Sequence, residues 1–314
     1  MTGNASDHRV LSAPSRLIVN MFFVVGSARS GTTLVRLMLN AHSEIAVPPE
    51  SRFVVELYRT GETSVEDFLF RLARHPRFQT WELPIDAVQA QFGGRATAPY
   101  HELIEAVYRA YAAARNKMLW GDKTPRYVLD IDLLAGLFGD SRFIHVVRDG
   151  RNVALSYADM PFGPKTVAGA ADRWQTRVRA GREAGSSLPP ARYTELFYER
   201  LVAAPEQELR KLCTFIGVSF EPGMLEYGTL SRNEVQTRAE RYNPHVTEKP
   251  TAGVRSWEQQ MPPLQVAVFE AIAGGLLQEL GYERAFPEPG AVARLQARLG
   301  RAGLPVNRLK RSPG

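Results

Sequence analysis

The sequence contains a single cysteine, Cys213, among its 314 residues. One cysteine cannot form a disulfide within the chain, so a crosslinked framework typical of small secreted proteins is excluded. The longest apolar run near the start, residues 21–26, is far shorter than the roughly 20 residues that a membrane-spanning helix needs. The first 20 residues are polar and mixed, without the pattern of a secretory leader. These absences predict a cytoplasmic protein.

The sequence also lacks the common metal-binding patterns. It has only six histidines, and neither a CxxC pair, an HExxH motif nor a paired histidine cluster occurs. Structural and catalytic zinc sites usually depend on such spacings. We therefore predict that the protein uses no metal.

The chain has enough apolar residues, 44% of the total, to bury a sizeable core. Its formal net charge is +6. A basic protein of this kind suits an anionic ligand, a nucleic acid or an acidic membrane surface, and charge alone does not choose among them.

Short apolar runs alternate with helical patterns along the chain. Strands are predicted at 17–25, 142–147 and 191–201, and each is followed by a segment with helical spacing. This alternation predicts an α/β fold with a largely parallel sheet flanked by helices. Residues 1–16 read as a flexible segment, and residues 285–314 as a basic C-terminal tail, leaving 17–284 as the folded domain.

The first strand leads into GSARSGTT, residues 26–33, and then into a helix that starts near Thr32. This order is the context of a phosphate-binding loop of the form GxxxxGK[ST], in which backbone N–H groups converge on an anion at a helix N-terminus. Thr32 stands where the lysine that grips the β- and γ-phosphates belongs. The loop therefore predicts binding of a phosphate, but not of a triphosphate with magnesium.

A second anion signal follows the strand at 142–147. There the sequence reads RDGRNVALS, so Arg148 takes the place where an NTPase carries its magnesium-binding aspartate. Arg148 can pair with a phosphate through two nitrogens, and Ser156 can approach the same anion if the segment is helical. Two anion sites at the ends of two strands predict a nucleoside ligand with phosphates at both ends.

These motifs resemble those of the sulfotransferases that use 3′-phosphoadenosine 5′-phosphosulfate, in particular the bacterial members related to tyrosylprotein sulfotransferases. The matching stretches are VVGSARSGTTLVRLML, PPESRF, GDKTP, FIHVVRDGRNVALSY and FYERLVAAPEQELRKLCTFIGV. The resemblance implies a sheet like that of the P-loop NTPases with a mostly helical acceptor-binding insertion. It also implies the phosphosulfate as donor, with no requirement for a metal.

The resemblance assigns roles to individual residues. In the family the first motif holds the 5′-phosphosulfate and the fourth holds the 3′-phosphate. The donor-binding residues it implies are Arg29, Ser30, Gly31, Thr32, Thr33, Arg148, Ser156, Tyr198 and Arg255. The alignment is loosest at Arg255, where some relatives place a basic residue on the nucleotide.

The resemblance also implies a catalytic set of Glu50, Lys123 and Arg29. Glu50 lies in PPESRF, where tyrosine-directed relatives have a catalytic glutamate, and it would take the proton of the acceptor hydroxyl. Lys123 in GDKTP matches a lysine that the family directs at the leaving group. Since Pro125 and Arg126 follow, a histidine base of the kind found in the cytosolic enzymes is not expected.

The acceptor remains open at this stage. Residues 60–118 match the family poorly and are expected to help form its pocket, and a small metabolite, glycolipid, saccharide or tyrosine all remain candidates.

Two other functions also stay open. One is a P-loop kinase or NTPase, which Thr32 and Arg148 disfavour, and the other is a non-enzymatic binder of nucleic acid or membrane through the tail after Gly290, which has six basic residues and no acidic one. Oligomeric state is not predicted.

Overall fold

The computed structural model describes residues 21–158, 160–230, 256–306 and 308–309. Its main sheet has five parallel strands in the order β2-β5-β1-β6-β7. The strands of this sheet are β1 (Met21–Gly26), β2 (Ile45–Ala46), β5 (Leu119–Lys123), β6 (Arg142–Val147) and β7 (Tyr193–Phe197). The predicted α/β fold with a parallel sheet is confirmed.

Helices cover both faces of this sheet and extend beyond its edges. Those before β6 are α1 (Thr32–Asn40), α2 (Phe53–Glu56), α3 (Val65–Ala73), α4 (Ile85–Gln89), α5 (Tyr100–Ala113) and α6 (Ile131–Leu137). Those after it are α7 (Gly150–Tyr157), α8 (Val167–Ser186), α9 (Tyr198–Ala203), α10 (Pro205–Ile216), α11 (Tyr227–Leu230), α12 (Trp257–Gln260), α13 (Pro263–Glu279) and α14 (Ala291–Arg301). Short 3₁₀ turns occupy 78–81, 90–92, 125–129 and 222–226.

β1 lies at the centre of the sheet and is buried on both faces. Met21, Phe23 and Val25 pack into one apolar layer, and Phe22 and Val24 pack into the other. This alternation follows from the pleat of a strand, which points successive side chains to opposite faces. A continuous apolar run such as MFFVV therefore suits a central parallel strand.

The insertion between β2 and β5 is mostly helical, as predicted. It contains α3, α4 and α5, together with a small antiparallel pair formed by β3 (Glu62–Ser64) and β4 (Thr97–Pro99). Ser64 caps α3 by accepting a hydrogen bond from the Asp67 N–H. The insertion packs its aromatic side chains against one face of the main sheet.

Folded structure continues past residue 284, where the predicted domain ends. Helix α14 packs on α8 and α13 through the small buried residues Ala293 and Ala297. Alanines permit this close approach, while the arginines of the helix lie at its exposed side. The segment expected as a basic tail thus contributes a packed helix. Residues 1–16, predicted to be flexible, lie outside the described residues.

Candidate active site

The phosphate loop connects β1 to α1 and turns sharply at three residues. Gly26, Arg29 and Gly31 have φ angles of 151°, 76° and 98°, a region that side chains rarely adopt. A side chain at Gly31 would also collide with the ring of Tyr198. The glycine therefore allows the loop to lie against that ring and start α1 with its first N–H groups free of helical partners.

The second predicted anion loop lies beside the first because β6 is the neighbour of β1 in the sheet. The two loops are in direct contact. The Arg29 Nε donates a hydrogen bond of 2.8 Å to the Ser156 Oγ, and an Arg148 Nη1–H points at the Arg29 carbonyl oxygen at 3.4 Å. The Arg148 guanidinium also lies 4.2 Å above the centre of the Tyr198 ring. The structure thus brings four predicted donor-binding residues together around Gly31.

Three buried polar atoms at these loops lack a partner. Within the described part of the chain, no hydrogen bond reaches the Oγ atoms of Ser27 and Ser30 or the Nε of Arg148. Leaving such a group unsatisfied costs about 1–3 kcal/mol, so buried groups of this kind usually have a ligand or a partner. Hydroxyls and a guanidinium beside a helix N-terminus suit an anion with several oxygens. These residues therefore fit a donor that carries phosphate groups.

Arg151 in the second loop has a structural role. It is almost fully buried and forms ion pairs of 2.7 Å with Asp149 and 2.6 Å with Glu270 of α13. Asp149 in turn caps α7 by accepting from the Arg151 N–H. This network anchors the loop that presents Arg148.

The predicted residue Arg255 lies outside the described residues, two positions before Trp257 in the sequence. The Trp257 N–H donates a hydrogen bond to the Asn152 Oδ1.

Two of the residues predicted to be catalytic, Glu50 and Lys123, form an ion pair. The Lys123 Nζ lies 3.2 Å from the Glu50 Oε1, and an Arg77 nitrogen lies 4.0 Å from Oε2. Burial raises the pKa of Glu50, but the charges of Lys123, Arg77 and Arg52 outweigh it and hold that pKa below its ordinary value. Burial lowers the pKa of Lys123, which Glu50 only partly offsets. At neutral pH the carboxylate is ionised and can accept a proton.

Arg36, which we did not single out in the sequence, holds the chain that leads to Glu50. This buried arginine of α1 donates from its Nε to the carbonyl oxygens of Val47 and Pro48, at 2.9 and 3.0 Å. It therefore connects the helix of the phosphate loop to the segment bearing the predicted base. The available signal was an arginine among the apolar residues of α1, where a solvated charge is not expected.

A second network that we did not predict involves the residues next to Glu50 and Lys123 in the sequence. Asp122 in β5 is fully buried and accepts a hydrogen bond of 2.6 Å from the Tyr108 hydroxyl. Ser51, next to Glu50, bonds to the Thr124 Oγ through its N–H and to the Tyr127 hydroxyl through its Oγ. Burial raises the pKa of Asp122 to about 6. The residues that flank Glu50 and Lys123 are thus held by buried polar side chains.

A cavity of about 340 Å³ lies beside the phosphate loop and Glu50. Its lining residues are Ala28, Glu50, Arg52, Pro125, Arg126, Leu129 and Arg177. Ala28 belongs to the phosphate loop, so the cavity reaches both the predicted base and the predicted donor site. None of the lining residues comes from 60–118, although Arg77 from that region faces Glu50.

The described residues contain neither a cluster of metal ligands nor a helix that could span a membrane. No group of three or more histidine, cysteine, aspartate or glutamate side chains is placed to hold a metal ion. No helix within those residues has the length and apolarity to cross a membrane.

Comparison with known proteins agrees with this geometry. The chain is 26% identical to nodulation protein NoeE of Sinorhizobium fredii over 83% of its length, and 25% identical to protein-tyrosine sulfotransferase 2 of Gallus gallus over 67%. It spans 66% of the first relative and 54% of the second.

Among solved structures, the sulfotransferase domain from the Synechococcus PCC 7002 olefin synthase has a TM-score of 0.59 and 24% identity. That match covers 84% of this chain and 94% of that domain, and it shows a shared fold. A sequence profile described as the sulfotransferase family matches residues 22–222, which is more than half of the chain. The loops, the sheet and the profile agree, and the chain belongs to the sulfotransferase family.

Proposed function

We propose that this protein transfers a sulfuryl group from 3′-phosphoadenosine 5′-phosphosulfate to a hydroxyl group of an acceptor. The observation that carries the proposal is the contact between two anion-binding loops at neighbouring strand ends, where Arg29 meets Ser156 and Arg148 meets Tyr198. Membership of the sulfotransferase family supports it. The finer assignments below are part of the same proposal.

The donor is held at its two ends. The N–H groups of the phosphate loop, the hydroxyls of Ser30, Thr32 and Thr33, and the Arg29 side chain bind the 5′-phosphosulfate, where a helix N-terminus favours negative charge. Arg148 and Ser156 bind the 3′-phosphate. Thr32 in place of a lysine suits this donor, because it carries no γ-phosphate.

Tyr198 flanks the nucleotide, and Arg255 completes the set as a residue outside the described part of the chain. The Tyr198 ring is already in place between Gly31 and Arg148. This position suits an aromatic side chain that lies against the donor between its two phosphate-bearing ends.

Transfer proceeds by displacement at sulfur. The acceptor oxygen attacks the sulfuryl sulfur while Glu50 takes the proton from that hydroxyl, and a new O–S bond forms. The bond between sulfur and the bridging oxygen breaks, and its electron pair leaves with 3′-phosphoadenosine 5′-phosphate. Lys123 and Arg29 stabilise the negative charge that builds on the bridging and equatorial oxygens. As in phosphoryl transfer, the protein contributes mainly positioning and electrostatics.

The ion pair between Glu50 and Lys123 suits the proposed roles of Glu50 as the base and of Lys123 at the leaving group. Lys123 is buried, so its charge is costly unless a carboxylate or a departing phosphate lies beside it. As the carboxylate is neutralised by the acceptor proton, the lysine is released toward the new charge on the leaving group. The acceptor occupies the cavity lined by Glu50 and Ala28.

We place the reaction in the cytoplasm, which the single buried cysteine supports.

Sulfate transfer from labelled phosphosulfate donor to a panel of phenols, alcohols and saccharides tests the proposal directly. We expect a labelled product whose formation needs no divalent metal and is lost in Arg29→Ala. In parallel, 3′-phosphoadenosine 5′-phosphate should raise the melting temperature far more than ATP with magnesium, because a ligand that binds only the native state stabilises it. Equal stabilisation by both nucleotides, with no labelled product, would contradict the proposal.

A further inference from the structure

The cavity beside Glu50 contains more positive charge than the reaction at sulfur requires. Three of its lining residues are the arginines Arg52, Arg126 and Arg177, and its one carboxylate is Glu50. That carboxylate is already paired with Lys123 at 3.2 Å and approached by Arg77 at 4.0 Å. The cavity therefore has an excess of cationic groups for which Glu50 does not compensate.

None of the three arginines forms an ion pair within the described residues. None of them lies within 4.0 Å of an acidic side chain there, although Asp130 and Glu50 lie close enough for the charges of Arg126 and Arg52 to lower their pKa values. Arg177 interacts with the Tyr157 hydroxyl. Arg52 and Arg177 are partly buried, and Arg126 is exposed. Partly buried guanidinium groups normally have an anionic partner, because removing them from water is costly.

Two further features of the cavity wall favour an anionic ligand. The Nε of Arg52 is buried and has no hydrogen-bond acceptor within the described structure. Arg52 also has a φ angle of 52°, in a region that non-glycine residues seldom adopt and that costs on the order of 1–3 kcal/mol. Burial, together with the charges of Arg173 and Arg126, lowers the pKa of Arg177. An oxyanion between these groups would relieve their mutual repulsion.

We propose that the acceptor is a small hydroxylated acid whose oxyanion is bound by Arg126 and Arg177 while its hydroxyl lies at Glu50. This inference rests on the proposed function and names the class of its acceptor. The volume of the cavity, about 340 Å³, is that of a site for a small molecule. The elements that supply the two arginines, the 125–129 turn and α8, are distinct from the two loops assigned to the donor.

Matched acceptors test the charge alone. The probes are 4-hydroxyphenylacetate, its neutral amide 4-hydroxyphenylacetamide, and 4-hydroxybenzylphosphonate, which share a phenol and differ in the opposite end. Binding to the protein saturated with 3′-phosphoadenosine 5′-phosphate is measured by calorimetry, and kcat/KM is measured with the phosphosulfate donor. We expect the acid to exceed the amide by about tenfold or more in both, as for a charge-assisted hydrogen bond. The phosphonate shows whether a carboxylate or a phosphate-type oxyanion is preferred.

Arginine variants then locate the anion. Arg177→Gln and Arg126→Gln should each reduce the ratio of acid to amide toward one. Arg294→Gln is the matched control, since Arg294 is an exposed arginine of α14 that does not line the cavity. This control should keep the wild-type ratio. Arg177→Lys keeps the positive charge but not the planar guanidinium that can bind an oxyanion through two nitrogens. This variant should therefore retain only part of the wild-type preference for the acid over the amide.

Several outcomes would overturn the inference. Equal binding of acid and amide by the wild type, including no binding of either, would remove the anion site. An Arg177→Gln variant that binds 3′-phosphoadenosine 5′-phosphate much more weakly would assign this arginine to the donor. Efficient sulfation of the amide together with the acid would refute the anion site and leave the sulfotransferase intact. Selective acid binding without sulfate transfer to any acceptor would instead refute the proposed function, and with it the acceptor role.

Discussion

The proposed donor side and the proposed acceptor side of this site are built in different ways. The donor side consists of two short loops, each directly after a strand, and the adjacency of β1 and β6 places them in contact. The acceptor side combines residues from the phosphate loop, the turn before α2, the turn after β5 and the middle of α8. A local motif can specify the first arrangement, whereas the second exists only when distant segments pack together.

The two sides also differ in how their charges are balanced. On the donor side, the buried Arg151 is neutralised by Asp149 and Glu270, and Arg148 remains as the group that faces the predicted anion. On the acceptor side, three arginines share one carboxylate that already has a lysine partner. Substitutions on the acceptor side should therefore change turnover or acceptor choice. Substitutions on the donor side should change donor affinity.

The largest expected effect comes from the proposed base. Glu50→Gln keeps the size of the side chain but cannot accept the acceptor proton, so kcat should fall by about 10²-fold or more. The affinity for 3′-phosphoadenosine 5′-phosphate, measured by calorimetry, should stay within about twofold, because charge at Glu50 does not hold the donor. Glu66→Gln on the exposed side of α3 is the matched control. Near-normal turnover of an aliphatic alcohol by the glutamine variant would remove Glu50 from the mechanism.

Arg148→Ala tests the donor side. Loss of a charge-assisted pair with the 3′-phosphate should weaken 3′-phosphoadenosine 5′-phosphosulfate binding by about 1.5–3 kcal/mol. Adenosine 5′-phosphosulfate, which lacks that phosphate, should be affected much less. Arg200→Ala, an exposed arginine after β7, serves as the control. If both nucleotides weaken alike, Arg148 supports the loop rather than the phosphate.

Arg36 connects the helix of the phosphate loop to the segment before Glu50, and its substitution should affect turnover more than donor affinity. Arg36→Met keeps the length of the side chain but loses the hydrogen bonds to the carbonyl oxygens of Val47 and Pro48. Because the loop bearing Glu50 is then less well fixed, kcat should fall by about tenfold with little change in donor affinity. Arg36→Lys should recover part of the loss. An unchanged kcat, with the protein folded by circular dichroism, would show that Arg36 only stabilises the fold.

The smallest expected effect is on stability and depends on pH. Asp122 has a pKa raised to about 6 by burial, so the native state binds its proton more tightly than the unfolded state does. The free energy of unfolding of the wild type should therefore fall as pH rises from about 4 to about 6 and then level off. Asp122→Asn lacks this group, and its stability relative to the wild type should rise by about 1–2 kcal/mol over the same range.

Urea denaturation at pH 4.5, 5.5 and 7.5 measures that difference. Tyr108→Phe is the companion variant, since it removes the hydroxyl that donates to Asp122 and should raise the pKa of the carboxyl further. A stability difference between Asp122→Asn and the wild type that is constant over this pH range would contradict the buried ionisation of Asp122.

The sequence by itself determined the elements whose signals are local. The apolar run before GSARSGTT predicted β1, and the helix predicted from Thr32 begins there. The strand predicted at 142–147 is β6 with the same bounds. Buried parallel strands and glycine-rich turns can be recognised in one stretch of chain, because each depends on backbone geometry over a few residues. The motifs that flank them also carried the resemblance to the sulfotransferase family.

Only the tertiary structure decided the environments of the charged residues. Asp122 is a buried strand residue bonded to Tyr108, and Arg36 supports the loop before Glu50. The cluster of Arg52, Arg126 and Arg177 brings together positions more than 120 residues apart in the sequence. Burial and ion pairing depend on which segments meet across the fold. The residue type in the sequence does not show whether a charged side chain is solvated or buried.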